Sequence, residues 1–243
     1  MQKKTEKAVA YLCRERNHHI NMLAALQGKL AEVVAAEEQG CLFCTDGDIW
    51  QLAADDEETA LRFYEMIPQD ASMLEVQQLD WVPLLKERFC PTCVENYYNV
   101  WYAAPEIALP EIGACVRTLT AGDGRELAGH YHLPGADCGK FEETRLYLEG
   151  RIESGTMFGL YFDDRLAGFV GTHGEGSLGV LTVLPEFRRR GLGTYLEQLA
   201  IQKALERGHI PFGQVAADNQ ASLALQKSLG MTIADQLVCW LEK

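Results

Sequence analysis

No stretch of this chain is apolar enough to cross a bilayer, which takes about 20 predominantly apolar residues. The N-terminus, MQKKTEKAVAYLCRERNHH, lacks an apolar core and a small-residue cleavage site, so no secretory signal is expected. Basic residues are scarce: 22 Lys and Arg face 35 Asp and Glu, for a formal net charge of −13. That balance weighs against nucleic acid as a partner, because phosphate binding needs a basic footprint. It leaves open a small anionic ligand held by one local basic site. The expectation is a cytoplasmic protein with no membrane and no nucleic-acid partner. Disorder is not expected either, since apolar residues make up 47% and charged residues 23%.

The 243 residues suffice for one large domain or two modest ones, with a core that needs no staples. Eight cysteines are present: Cys13, Cys41, Cys44, Cys90, Cys93, Cys115, Cys138 and Cys239. In a reducing compartment these read as thiols or metal ligands rather than disulfides.

Hydrophobic spacing predicts one helix over 7–30 and strands at 32–37, 41–45 and 48–53, with Asp46-Gly47 as a hairpin turn. Asp55 or Asp56 offers an N-cap for a helix to about Met66. A strand at 72–77, a helix at 80–88 and an aromatic strand over 94–103 follow. Pro105 to Pro110 reads as a linker. Beyond it the pattern restarts with a strand at 114–119, helices from about 122 and over 139–153, and strands at 156–163 and 166–173. After a glycine-rich break come a strand at 179–184, a helix at 191–207, a strand at 210–217, a helix at 219–229 and a strand at 232–241. Alternating strands and helices predict an α/β sheet of mixed direction. The two halves share a coarse hairpin, helix, strand, helix, strand order, which fits a duplicated fold.

The chemistry concentrates in LGVLTVLPEFRRRGLGTYLEQLAIQKALERG. A strand runs into Pro185, then Arg188, Arg189 and Arg190, then Gly191-Leu192-Gly193, then a helix starting near Thr194. A helix N-terminus leaves backbone N–H groups unpaired and carries a positive dipole end. Glycine lets a phosphate approach the backbone, and arginine adds charge beside it. The alternative is a solvated basic turn.

Arg188 to Gly193 resembles the Q/R-x-x-G-x-G/A acyl-CoA signature of the GNAT N-acetyltransferase superfamily. Asn219, Ser222, Leu225, Leu229, Gly230 and Met231 resemble that family's second motif, N-x-x-A/S-x-x-L-x-x-x-L/F-G-F/M. The resemblance covers about 112–243 and is closest to the glycine N-acyltransferase-like branch, which has an extra N-terminal region. It implies a GNAT fold with an acyl-CoA-binding domain over 111–243. Residues 1–110 would be a degenerate GNAT-like, acceptor-side domain. Acetyl-CoA or another acyl-CoA would be the co-substrate and a small-molecule amine the acceptor, in a monomer or homodimer. The backbone from Arg189 through Leu192 and Gly193 to Thr194 would hold the pyrophosphate. Leu181 and Val183 would face the pantetheine arm in a gap between strands 180–184 and 210–217. Asn219, Ser222 and Gln226 would border it.

Two departures bear on catalysis. Many GNAT enzymes have a tyrosine seven residues after the motif asparagine, to protonate the leaving thiolate; here that position is Gln226, which cannot act as a general acid. Tyr195 is a weak substitute because it sits in the CoA helix. For the base, Glu175 precedes the central strand where the family often places a glutamate, and His173 shares its face if both lie in one extended strand. The alternative for Glu175 is a solvated turn. A catalytically silent acyl-CoA sensor is the second functional reading, motivated by Gln226. A third is a zinc-binding interaction module built from Cys41-x-x-Cys44 and Cys90-x-x-Cys93, against which stand buried free cysteines. No metal ligand set is assigned. His18-His19 read as a solvated helix face, His130 and His132 beside Tyr131 and Asp137 as surface polar groups or an acceptor pocket, and Trp50, Trp81, Trp101 and Trp240 as core anchors.

Overall fold

The computed structural model describes residues 2–131 and 141–243. Helices α1 (Gln2–Leu12) and α2 (Ile20–Gln27) lead into strands β1 (Ala31–Glu37), β2 (Gly40–Thr45) and β3 (Ile49–Ala54). Then come α3 (Glu57–Tyr64), β4 (Met73–Val76), α4 (Val82–Phe89) and β5 (Cys93–Trp101). They are followed by β6 (Cys115–Thr118), α5 (Gly124–Ala128), α6 (Phe141–Glu153), β7 (Phe158–Phe162), β8 (Arg165–Thr172), β9 (Leu178–Val183) and α7 (Leu192–Glu206). The chain closes with β10 (Phe212–Ala216), α8 (Gln220–Ser228) and β11 (Thr232–Glu242). None of the described helices is long and apolar enough to cross a membrane.

Local chemistry accounts for many boundaries. Asp46 and Gly47 both have positive φ, as a tight hairpin turn requires. Phe162 pairs with Arg165 across a two-residue loop in which Asp163 and Asp164 are both left-handed, the geometry of a type I′ turn. Asp56 caps α3 by accepting the Thr59 N–H at 2.8 Å. Pro83 sits in the first turn of α4, where its missing N–H costs nothing.

The chain forms two compact units, Met1–Ala103 with Gly208–Lys243, and Ala104–Arg207. This cut differs from the sequence boundary at 110/111. The reason lies in β5, which is hydrogen-bonded on one side to β11 and on the other to β10. The C-terminal strands therefore belong to the same unit as the N-terminal segment. In that unit the strand order is β1-β2-β3-β4-β11-β5-β10, antiparallel except for β3 with β4. Strand alternation divides its side chains. Leu42, Leu52, Leu74, Val76, Cys239 and Leu241 pack with Phe63 of α3 and Phe89 of α4. Cys41, Phe43 and Ala53 point the other way, against Leu12 of α1 and Met22 of α2. The second unit contains the antiparallel meander β6-β7-β8-β9.

A polar cluster lies in the first unit. Glu75, fully buried, accepts from Asn21 Nδ2 at 2.7 Å, Gln51 Nε2 at 2.6 Å and Gln214 Nε2 at 2.5 Å. Trp240 Nε1 donates to Gln214 Oε1 at 2.8 Å, and Asn99 Nδ2 donates to the His18 carbonyl at 2.7 Å.

The expected single helix over 7–30 is broken, and His18 and His19 at the break are 4% and 3% exposed rather than solvated. Gln78 Oε1 takes the Ala54 N–H at 2.9 Å, which orients the amide so that Gln78 Nε2 donates to His19 Nε2 at 3.1 Å. That contact needs the lone pair on Nε2 and hence a neutral ring. Burial pushes His19 down to about 3, with the neighbouring His18 adding to the effect. Burial also lowers His18. Below the ordinary value of about 6.5 the unfolded chain takes a proton that folded His19 refuses, so stability falls as pH drops from there toward about 3. The slope is about 1.4 kcal/mol per pH unit for one proton. His19→Gln should remove roughly that slope, read by urea unfolding at pH 6, 5 and 4; an unchanged slope contradicts the neutral buried ring.

Candidate functional site

Strand β9 leads through Pro185–Phe187 to Gly191, whose φ of 75° starts α7. Arg189 is also left-handed, with φ 61°. No side chain caps α7, so its first-turn N–H groups, at Leu192, Gly193 and Thr194, lack the usual internal partner and can meet an anion. Arg188 Nε donates to the Val183 carbonyl at 3.0 Å, and Arg190 donates to the Glu186 carbonyl at 3.2 Å while lying 5.4 Å from the Phe187 ring centroid. All three arginines are exposed, and Arg188 and Arg190 are anchored by these bonds. The earlier strand-to-helix junction, β3 into α3, has the opposite chemistry. Asp56 occupies the cap and Glu57 and Glu58 the first turn, a set that repels polyanions.

Strand β9 is not regular. Phe169 pairs with Thr182 and Gly171 with Gly179, so two steps along β8 match three along β9. The extra residue makes a bulge, a feature that disturbs the ladder and re-aims the groups around it. Val180 within it has φ 51°. A β-branched residue held there costs about 1–2 kcal/mol. Of the expected pantetheine contacts, Leu181 lies within this stretch and Val183 just after it. Sequence reading missed Val180, because valine favours ordinary strand.

His173 and Glu175 do not share an extended strand as expected, since β8 ends at Thr172. They occupy a turn in which Gly176 N–H bonds to the His173 carbonyl at 3.1 Å and His173 N–H to the Ser177 carbonyl at 2.9 Å. Gly176, at φ 96°, supplies the left-handed residue that closes it. The turn is not solvated: Glu175 is 6% exposed and its carboxylate accepts from the Ser177 hydroxyl. Half-buried His173 places Nδ1 2.5 Å from the Tyr147 hydroxyl of α6. Burial lowers the His173 pKa, Glu175 opposes the shift and Arg151 reinforces it. Tyr131, edge-on to Phe169, is pushed up to about 12 by burial and by Glu175.

One unit therefore holds Leu181, Val183, Arg188 to Thr194, His173 and Glu175. Asn219, Ser222 and Gln226 belong to the other. Asn219 Oδ1 accepts the Ser222 N–H at 3.0 Å and so caps α8, in which Gln226 is buried. Tyr195 is buried in α7. His130 is exposed; His132, Asp137 and Cys138 lie outside the described residues. Cys41 and Cys44 face opposite sides of β2, three residues apart on a strand of period two. Among the described residues no group of three or more His, Cys, Asp or Glu side chains could hold a metal.

Residues 158–241 match the family described as FR47-like protein. Over 76 residues the chain is 40% identical to the [ribosomal protein bS18]-alanine N-acetyltransferase of Salmonella typhimurium. That match covers 30% of this chain and 51% of the relative, so the chain spans about half the length of the curated protein it resembles. Among solved structures, a Drosophila protein superposes with TM-score 0.72 at 17% identity, covering 99% of this chain and 95% of that one. A GCN5-related N-acetyltransferase from Kribbella flavida gives TM-score 0.55 at 15% identity, with 93% and 95% covered. A tandem GNAT protein from the clavulanic acid biosynthesis pathway gives 0.51 at 16% identity, with 91% and 86% covered. The chain has the GNAT fold.

Gly179 tests the packing of the turn. A Cβ there would lie 2.3 Å from His173 Nε2 and 2.6 Å from Cδ2. Gly179→Ala should displace the imidazole, destabilise the protein by about 1–3 kcal/mol and return His173 toward its ordinary titration. Urea unfolding and an NMR titration read the two effects; wild-type values for both would refute the contact.

Proposed function

We propose that this protein is an acyl-CoA-dependent N-acyltransferase, using acetyl-CoA to acylate a primary amine by direct attack. The observation that carries the reading is the junction between bulged β9 and uncapped α7. It combines left-handed Arg189 and Gly191, free first-turn N–H groups and three arginines in a chain of net charge −13. A diphosphate is the ligand that such a local cationic cradle suits. Residues 111–243 carry both CoA motifs and form the catalytic half in this reading. Residues 1–110 form a degenerate half, whose own strand-to-helix junction is acidic and unsuited to CoA.

Leu181 and Val183 are proposed to offer backbone groups to the pantetheine, and Asn219, Ser222 and Gln226 carry the second motif of the resemblance. The acceptor arrives as an ammonium ion. Glu175, buried and held by Ser177, takes the proton that must leave before nitrogen can attack. A backbone N–H of the bulged strand polarises the thioester carbonyl. The relative's name specifies an alanine α-amine on a protein; the proposal here is the amine class, with a small-molecule acceptor first. A silent CoA-binding protein is the second reading, favoured by Gln226 in place of the expected tyrosine, and thiol release separates the two.

Isothermal titration should show acetyl-CoA binding. Gly191→Glu puts a side chain and a negative charge on the left-handed cap and should abolish it. No binding by the wild type up to millimolar ligand overturns the proposal, and unchanged affinity in the variant overturns the cradle. Glu175→Gln should lower kcat by about 100-fold and alter acetyl-CoA affinity by less than about threefold. A wild-type rate would remove Glu175 from the mechanism.

A further inference from the structure

Acylation of an ammonium acceptor releases two protons from nitrogen, one before attack and one as the amide forms. Glu175 accounts for the first. The second must reach the departing sulfur, and Gln226 cannot deliver it. We propose that His173 carries this second proton, taking it from the attacking nitrogen and returning it to the thiolate, with Tyr147 as the positioning residue that fixes the imidazole. The inference rests on the acyl-transfer reading above.

The geometry constrains the ring from two sides. On one edge Nδ1 lies 2.5 Å from the Tyr147 hydroxyl, with ring centroids 6.1 Å apart. On the other, Nε2 and Cδ2 lie over Gly179, the residue just before bulged Val180, with room only for glycine beneath them. Main-chain bonds hold the residue at both its N–H and its carbonyl. The residue as a whole is half-buried. The proposal assigns the tautomer in which Nδ1–H donates to the Tyr147 oxygen, which leaves Nε2, beside Gly179, as the acceptor nitrogen. A neutral imidazole presents one donor and one acceptor nitrogen, so fixing one fixes the other.

The charged and titratable groups around the ring suit a proton taken briefly. Tyr147 and Arg151 come from α6, with Arg151 Nε bonded to the Thr172 carbonyl at 2.9 Å. Glu175 comes from the turn itself, and Tyr131, at the end of α5, interacts with Glu175. Burial and Arg151 keep the ring neutral at pH 7, while Glu175 limits the cost of the transient imidazolium.

The step balances. The nitrogen–carbon bond forms as the amine attacks the thioester carbonyl, and the remaining ammonium-type proton moves to His173 Nε2. The carbon–sulfur bond breaks with its electron pair on sulfur, which takes the proton back from Nε2. Amide and free thiol leave, the imidazole is again neutral, and Glu175 releases the first proton to solvent, so no further reactant is needed.

The test combines steady-state thiol release, with acetyl-CoA and a panel of primary amines and N-terminal alanine peptides, with nitrogen NMR of the ligand-free protein. His173→Asn should lower kcat by about 100-fold at unchanged acetyl-CoA affinity. Tyr147→Phe should lower kcat by about tenfold or more, leave the KM for acetyl-CoA within about twofold, and shift the His173 tautomer from Nδ1–H toward Nε2–H. A merely structural Tyr147 would move stability but not the tautomer. Wild-type kcat in either variant, or an unchanged tautomer in Tyr147→Phe, overturns the shuttle while leaving acyl transfer intact. Absence of thiol release by the wild type with every acceptor overturns the acyl-transfer reading and the shuttle with it.

Discussion

The buried carboxylate of Glu75 is the constraint on which the larger unit depends. A carboxyl group with no exposure is tolerated only where partners surround it, and here donors come from α2, β3 and β10. Trp240 of β11 holds Gln214 in turn. Segments from opposite ends of the chain are thereby locked to one group, and removing a donor to such a buried acceptor costs about 1–3 kcal/mol. The same network stands beside β5, whose two edges take up β10 and β11. That pairing makes the compact units cut across the linear order of the sequence.

Two strand-to-helix junctions in this chain show how a few residues decide what a common local geometry can hold. Both leave first-turn N–H groups pointing off a helix start. At α3, Asp56 fills that position and Glu57 and Glu58 surround it with negative charge. At α7, glycine leaves it open and arginines line the approach. The backbone solution is similar, but the first satisfies a donor internally and the second leaves its donors without a side-chain cap.

Much of the fold was legible because its signals are local. Asp46-Gly47 and Asp163-Asp164 mark tight turns by their tolerance of positive φ, Asp56 and Asn219 mark helix starts by their side-chain oxygens, and alternation of Cys41, Leu42 and Phe43 marks a strand packed on both faces. The exposed arginines and the glycine at the start of α7 were legible for the same reason: Arg188 to Thr194 is one contiguous stretch. What was not legible depended on partners distant in sequence. His18 and His19 have the composition of a wet helix surface, yet Asn99 and Gln78 meet them in the interior. Val180 is a good strand former and carries no mark of the bulge imposed by its pairing with β8. Glu175 lies in a glycine-rich segment that resembles a solvated loop, and only the folded turn buries it against Ser177.

The sequence by itself determined most of the order of strands and helices, the GNAT likeness and the arginine-glycine junction at the start of α7, because each rests on spacing or contiguity within a few residues. Tertiary structure alone decided the composition of the two units, the inward turn of His18 and His19, and the meeting of Tyr147 with His173. Those outcomes depend on which strands share hydrogen bonds and which faces lose water. Residues 26 positions apart in the chain come within 2.5 Å because α6 and the β8–β9 turn are brought together by packing, which no local pattern encodes.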